Sequence, residues 1–316
     1  MTIETVLHAT LDKSRKKLMF TAVKSNAYLA WSMAKNRIDF EDGGATVSNP
    51  LITGRNQNIT SYEYYDQLPM AQTSEFDTVE YGWSRIAGSV IISDQEQDEA
   101  RGESQIFKLL ANKIKVLDES MQEKFSSYCY GSGAGMDPNG LANCIPDDPT
   151  TGTLGGMSRA TETQWRTSAY NFSGALNALN IEEAFDDVKM DLTLRNEKPD
   201  LLLCGRNVHR SYRAAVRDKL TIPMSAGAGK AMYDLGFEIS GHGKCPILYD
   251  EDCPVDKAYM INSKYLRWSI LKHVNMKVKK LTAPWTMDAV GRRVVWQGQM
   301  CMWNAFRKHG LINNEV

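Results

Sequence analysis

The feature of this sequence that most constrains the fold is a pair of strand-like segments that flank a long polar stretch within residues 39–92. The first segment, ATVSNPLITG, contains Pro50, which suits a strand at the edge of a sheet. In the second, Val79, Tyr81 and Trp83 alternate with polar residues, and the run GSVIISD follows. Two such strands around a polar tip bury too little apolar surface to be stable alone. The sequence therefore predicts an extended arm that lies on another surface, which a neighbouring subunit would supply in an oligomer.

The tip of this arm, residues 55–77, combines polar and aromatic side chains. Tyrosine is favoured at protein interfaces, so we predict that the tip contacts another subunit. Capping of the hairpin is the alternative role for the tyrosines. The candidate contact residues are Arg55, Asn56, Asn58, Tyr62, Tyr64 and Tyr65. Beyond the tip, the alternation of apolar and polar residues changes register near Arg85 and Ile86, which predicts a β-bulge there.

Residues 93–130 contain the clearest helical pattern in the chain. Acidic residues crowd its beginning, where the dipole of a helix favours negative charge. Gly102 is a poor interior residue, so the regular helix is expected to begin just after it and to run for about 25 residues, or about 38 Å. Apolar residues then recur every three or four positions and occupy one helical face. The predicted core face consists of Ile106, Leu110, Ile114, Leu117, Met121 and Phe125, continued by Tyr128.

The rest of the chain predicts a mixture of helices and short strands. Near the N terminus, Leu29 and Trp31 belong to a short buried helical face. Further helices are expected over residues 170–196, with a regular part that begins near Asn180, and over residues 206–220. The continuous apolar run Leu201–Cys204 predicts a buried strand. A flexible loop is expected over 221–230, and strands are expected at 237–239, 246–249, 258–261, 265–281 and 293–305.

The composition and the motifs argue against several functions. The net charge is −1, so the chain is not expected to bind nucleic acid through its overall charge. No apolar run of about 18 residues predicts a membrane-spanning helix. The cysteines form no CxxC pair and the histidines no helical pair, so free thiols and no metal site are expected. The segment GAGKA at 227–231 lacks both the first glycine and the Ser or Thr of a phosphate-binding loop.

One basic pattern remains as a candidate binding surface. Four arginines recur at helical spacing and so share one face of the helix predicted over 206–220. They would contact phosphate or acidic residues of a neighbour, or else form a solvated face with local ion pairs. The four are Arg206, Arg210, Arg213 and Arg217. A second, weaker basic cluster allows the same two interpretations and comprises Lys272, Lys277, Lys279 and Lys280.

Three segments in a fixed order carry a resemblance to a known family. They are DGGATVSNPLITGRN at 42–56, GESQIFKLL at 102–110 and the turn-rich GLANCIPDDPTTGTLGGMSRATETQWR at 140–166, which contains no plausible catalytic constellation. In this order and content the sequence resembles the major capsid proteins of tailed bacteriophages. The resemblance implies an α+β chain with the Hong Kong 97-type capsid fold. It also implies a division into an N-terminal arm (1–38), an extended loop (39–92), a peripheral domain with a long spine helix (93–136), an axial domain (137–262) and C-terminal strands that rejoin the peripheral domain (263–316).

The function implied by this resemblance is structural. Such a protein self-assembles into the pentamers and hexamers of an icosahedral shell and encloses double-stranded DNA without reading its sequence. It is expected in the virion after assembly in the host cytoplasm, without enzymatic activity, cofactor, metal or membrane. A portal and a separate scaffolding protein are the implied partners, with decoration proteins left open. An encapsulin-like compartment shell shares the fold and is the nearest alternative, followed by an enzyme with an unrecognised site and a monomeric binding module.

Overall fold

A computed structural model describes the chain at residue 11 and over residues 26–54, 56, 58–71, 75–99, 103–172, 176–217, 239–242, 245–281 and 289–314. The candidate Arg55, the loop expected at 221–230 and the GAGKA segment lie outside these residues. The helices, in chain order, are α1 (Ala27–Ala34), α2 (Asp94–Glu99), α3 (Glu103–Cys129), α4 (Leu141–Cys144), α5 (Ile181–Leu192) and α6 (Arg206–Val216), with a 3-10 turn at Thr163–Trp165.

Fifteen strands are described, so the fold class is α+β as predicted. They are β1 (Ile38–Glu41), β2 (Thr46–Ile52), β3 (Phe76–Gly82), β4 (Ser84–Ser93), β5 (Thr153–Leu154), β6 (Met157–Ser158), β7 (Ser168–Asn171), β8 (Leu201–Cys204), β9 (Ile239–His242), β10 (Cys245–Tyr249), β11 (Lys257–Ile261), β12 (Leu266–Leu271), β13 (Lys277–Leu281), β14 (Ala289–Met302) and β15 (Gly310–Asn313).

The first main sheet is built around the 14-residue strand β14. On one edge of β14, the whole of β4 pairs antiparallel with Ala289–Gly298. On the other edge, β13 pairs with the first half of β14 and β12 with its last residues. Strand β1 adds to β12 in parallel. This sheet supports α3, which packs on β4. A Cβ atom at Gly88 of β4 would lie 2.5 Å from Leu117 Cδ1 of the helix. The missing side chain at Gly88 therefore makes room for Leu117 between the helix and the sheet.

The long helix predicted after Gly102 is α3, with the short α2 before it. Its apolar face is buried against the first sheet at Leu110, Ile114, Leu117, Met121 and Phe125. Ile106 lies in α3, and its side chain is outside the described part of the structure. Near its C terminus the helix is also covered by the start of α1. There the buried Asn26 donates a 2.9 Å hydrogen bond to Ser126 Oγ.

The same asparagine begins α1. Asn26 Oδ1 accepts hydrogen bonds from the backbone of Tyr28 and Leu29 at 3.0 and 3.1 Å, which satisfies the free N–H groups of a helix start. Leu29 and Trp31 are buried, as the sequence predicts. Residues 26–34 are therefore packed into the main core of the chain.

The second main sheet has the strand order β7-β15-β11-β8-β10-β9. Helices α5 and α6 cover one face, and the main core covers the other, which explains why Leu201–Cys204 is apolar at every position. The helix predicted over 170–196 is wrong in its first part, because Ser168–Asn171 forms β7 and pairs in parallel with β15. The regular helix begins at Ile181, directly after Asn180.

Two further differences concern which strands pair with each other. The register change near Arg85 is not a bulge, because β4 pairs with β14 without interruption from Ser84 to Ser93. The change arises because the chain leaves one sheet at Gly82 and enters another at Ser84. In addition, β15 lies in the second sheet, so the predicted C-terminal segment 263–316 does not return to the first sheet as a whole. None of the described helices combines the length and apolar character needed to cross a membrane.

Candidate assembly surfaces

The predicted arm is a two-stranded hairpin of β2 and β3, paired antiparallel from Thr46–Gly82 to Ile52–Phe76. Its base is part of the core, since Val47, Val79 and Tyr81 are buried. Leu51, one residue before the end of β2, is buried as well, so one face of the hairpin lies in the core along most of its length. Ile52 and Phe76 project from the other face and are 64% and 67% exposed. The hairpin is thus anchored through one face, and the segment beyond these two residues is mostly exposed.

Tyr81 fixes the base of the hairpin to the end of β14. Its hydroxyl donates a 2.8 Å hydrogen bond to the carbonyl of Met302 and accepts one of 3.2 Å from the backbone N–H of Met302. Burial raises the pKa of Tyr81 well above its usual value, so the hydroxyl keeps its proton and remains a donor. A nearby anchor is Trp83, whose indole donates a 2.9 Å bond to the carbonyl of Gly44.

The turn-rich segment 140–166 holds the other side of the hairpin base. Its strands β5 and β6 form a tight turn, and the carbonyl of Gly155 in that turn accepts a 3.0 Å hydrogen bond from Glu80 N. A Cβ atom at Gly155 would lie 2.1 Å from Val79 Cγ1, and the residue has a positive φ of 60°. Glycine alone combines this contact with this backbone conformation.

Two large side chains brace this segment from inside. The buried Arg159 donates hydrogen bonds of 2.6 and 3.2 Å to the carbonyls of Asn143 and Cys144, and burial lowers the pKa of its guanidinium. Trp165 is fully buried and its indole donates a 3.0 Å bond to the carbonyl of Leu154. The segment 140–166, one of the three that carried the resemblance, therefore forms a well-packed seat for the hairpin base.

Within the tip, residues 58–71 have internal order although most of them are exposed. The Asn58 amide donates a 2.7 Å hydrogen bond to the carbonyl of Ala71 and accepts one of 3.2 Å from its N–H. At the apex, Asp66 accepts a 2.9 Å bond from the N–H of Glu63 and returns one of 3.1 Å to its carbonyl. The side chain of Asn58 thus satisfies both backbone groups of Ala71, as the backbone of a partner residue does in an antiparallel sheet.

Large apolar and aromatic side chains of the tip face solvent in the isolated subunit. Tyr64 and Tyr65 are fully exposed, so they do not cap the hairpin. Asn56, at the start of the tip, is also exposed and accepts a hydrogen bond from the N–H of Asn58. The exposed apolar and aromatic set of the tip is Ile59, Tyr62, Tyr64, Tyr65, Leu68 and Met70. A set of this size on one projection is typical of a contact surface.

The basic stripe lies on α6 and faces outward at Arg206, Arg210, Arg213 and Arg217. The opposite side of the helix packs into the core through Val208 and Tyr212. In the weaker lysine cluster, Lys272 forms a 3.4 Å ion pair with Asp42, and Lys277 and Lys280 are exposed on β13.

The six cysteines are buried free thiols. Burial raises the pKa of each, to about 12 for Cys144, so none is prepared to act as a nucleophile at neutral pH. Over the part of the chain that the structure describes, no group of three or more His, Cys, Asp or Glu residues is placed to hold a metal ion.

This architecture was compared with known proteins. No protein-family model and no curated sequence matches the chain. Among solved structures, it is similar to the cyanophage A-1(L) capsid asymmetric unit, with a TM-score of 0.66 and 15% identity over 90% of this chain and 92% of that chain. The chain has a phage capsid fold. This confirms the resemblance to tailed-phage capsid proteins and the Hong Kong 97-type fold that the sequence predicts.

Further capsid structures agree over nearly the whole length. The capsid of the native GTA particle has a TM-score of 0.57 and 13% identity over 91% of both chains. The satellite phage P4 procapsid with its size determination (Sid) protein has a TM-score of 0.51 and 13% identity, and the match covers 95% of this chain and 90% of that chain.

Proposed function

We propose that this chain is a major capsid subunit that self-assembles into the pentamers and hexamers of an icosahedral shell around double-stranded DNA. The observation that carries the proposal is the likeness to capsid structures over about nine tenths of the chain. An anchored hairpin with an exposed apolar tip supports the proposal, because a large apolar surface exposed to water usually marks a site that another molecule covers. The role is structural and requires no catalytic group.

In this proposal the hairpin lies over a neighbouring subunit and buries the tip there. Fully burying one large apolar side chain contributes about 1.5 to 3 kcal/mol before the costs of association are subtracted. Each copy both gives and receives such a contact, so many modest contacts add up in a closed lattice. Because the contacts of Tyr81 and Gly155 hold the hairpin base in one orientation, they would fix where the tip meets the neighbouring subunit.

The likeness to capsid structures also suggests a role for each segment of the chain. Residues 39–92 serve as the extended loop, 93–136 as the peripheral domain with α3 as its spine, and 137–262 as the axial domain, with 1–38 as an arm and 263–316 completing the sheets. The proposed partners are further copies of the chain, a portal, a separate scaffolding protein and the enclosed DNA. The proposed location is the virion, after assembly in the host cytoplasm.

The test is assembly of the purified chain, followed by light scattering and negative-stain electron microscopy of the same fractions. We expect closed particles or rings of five or six subunits. Nucleic acid inside particles from infected cells would separate a capsid from an encapsulin-like shell, which would hold cargo enzymes. A chain that stays at its monomer mass of 35.5 kDa at all concentrations, with and without crowding agents, would count against the proposal.

A deletion tests the role of the hairpin separately. Removing residues 55–75 should leave a soluble, folded subunit, because the buried base of the hairpin is retained. The shortened subunit should no longer close into shells. Normal shells from this variant would show that the tip is not an assembly contact.

A further inference from the structure

Helices α5 and α6 lie side by side on the second sheet and carry opposite charge. Both helices belong to one apolar core cluster, in which Phe185 stacks on Tyr212 with ring centroids 5.5 Å apart. The α5 sequence IEEAFDDVKMDL has five acidic residues and one lysine, whereas α6 has three arginines, a fourth directly after it and no acidic residue. The two helices therefore give the subunit one acidic and one basic ridge.

Only some of the charged side chains on α5 have a neutralising partner within the same chain. Asp186 lies 2.8 Å from His242 Nε2, and Lys189 donates to the carbonyl of His242. Glu183 and Asp187, in contrast, are exposed and four residues apart, so they face outward together and repel each other. The N-terminal dipole favours Glu183 but does not favour Asp187 in the middle of the helix. An opposing cation would stabilise both.

The charges on α6 are similarly costly in the isolated subunit. Arg206 is the first residue of the helix, where the dipole disfavours a cation. Arg210 is exposed one turn later and repels it. Neither guanidinium forms an ion pair with another residue in the described part of the chain. An opposing carboxylate would relieve both effects, and Arg fits carboxylates through paired hydrogen bonds.

We infer that α6 of one copy docks its arginine face, centred on Arg206 and Arg210, against Glu183 and Asp187 of α5 in a second copy. A second copy is favoured as the partner because every copy carries the matching acidic face. With a net charge of −1 the chain also lacks the overall attraction that phosphate binding would use. The inference rests on the proposed function, since it names one contact through which the subunits of a shell recognise each other.

A charge swap tests this contact. R206E/R210E and E183R/D187R each place like charges face to face, so each variant should need about tenfold more protein to assemble. The four-fold variant, which combines all four changes, restores opposite charges and should assemble like the unmodified chain. K115E/K124E on the exposed side of α3 changes the net charge as much as R206E/R210E does, so it is the control for that variant and should assemble normally. Circular dichroism shows that each variant is folded, and assembly of the unmodified chain should weaken as salt is raised.

The outcomes separate the two claims. Normal assembly of R206E/R210E, failure of the folded four-fold variant, or an equal defect in K115E/K124E would overturn the helix contact. So would normal assembly of R206E/R210E combined with weaker binding to a double-stranded DNA fragment, which would assign the stripe to phosphate. Absence of any particle or ring from the unmodified chain would instead count against the proposed function.

Discussion

The side chain of Asn58 hydrogen-bonds the backbone of Ala71 in both directions, 13 residues along the chain, and so closes the tip of the hairpin. The last ladder pair, Ile52–Phe76, lies on the anchored side of this bridge. An amide that both donates and accepts is required, because Ala71 offers one N–H and one carbonyl.

We predict that N58A loosens the tip without affecting the core. The loss of two exposed hydrogen bonds, at about 1 kcal/mol together, should raise the concentration needed for assembly about fivefold. Amide hydrogen exchange at Ala71 should become faster, while the melting temperature of the subunit stays the same. N112A, an exposed amide on α3, is the matched control. Unchanged exchange at Ala71 in N58A would disprove the bridge.

A second prediction concerns the anchor at the hairpin base. Y81F removes the hydroxyl that satisfies both backbone groups of Met302, so a buried carbonyl and N–H lose their partner. We expect the free energy of unfolding, measured in urea, to fall by about 1 to 3 kcal/mol. The control Y65F alters a fully exposed tyrosine and should have little effect. Equal stability of the two variants would contradict the anchor.

The seat of the hairpin leads to a third prediction. G155A adds a methyl group into Val79 at a residue with positive φ, whereas G156A adds one at positive φ with open space around it. G156A should therefore report backbone strain alone, about 1 to 2 kcal/mol, and G155A should cost clearly more. Thermal unfolding of both variants checks this. Similar melting temperatures would mean that β5 and β6 move aside easily.

A fourth prediction concerns pH. Burial opposes ionisation of Glu197, but hydrogen bonds from Lys264, Lys308 and Tyr265 outweigh it and lower its pKa to about 2. Because the pKa is lower in the folded state, the carboxylate stabilises the fold fully above about pH 4.5. This contribution is lost as the pH falls towards 2.

E197Q should therefore be less stable than the parent at pH 7, since the buried Lys308 loses its counter-charge. The difference in the free energy of unfolding should shrink as the pH is lowered from about 4.5 to about 2. E119Q is the control, because its pair with Lys115 is exposed and worth little. A difference that stays constant over this range would rule out the ionic contribution of Glu197.

Local patterns in the sequence predicted much of the fold. The helix α3 and the strand at Leu201–Cys204 follow from the spacing of apolar residues, which is a property of a short stretch of chain. The family resemblance supplied the arrangement of these elements, and the capsid structures agree with it. The extended hairpin was predicted correctly, and the contact of its tip with another subunit stays a prediction.

What the sequence could not show depends on contacts between distant segments. The passage from β3 to β4 looked like a bulge because alternation alone does not reveal that β4 pairs with β14, about 200 residues later. The second half of strand β7 fell within the predicted helix 170–196, because its partner β15 lies about 140 residues later in the chain. The bridge from Asn58 and the clearance at Gly155 likewise appear only once both partners are placed.

The close connection of the hairpin to the first sheet has a mechanical consequence. Only Trp83 separates β3 from β4, so tension applied to the tip passes straight into β4. Strand β4 is held to β14 along its entire length, from Ser84 to Ser93. Force along a strand loads these hydrogen bonds together and not one after another. In the proposed shell, a neighbouring copy that pulls on the tip would therefore load the whole pairing of β4 with β14 at once.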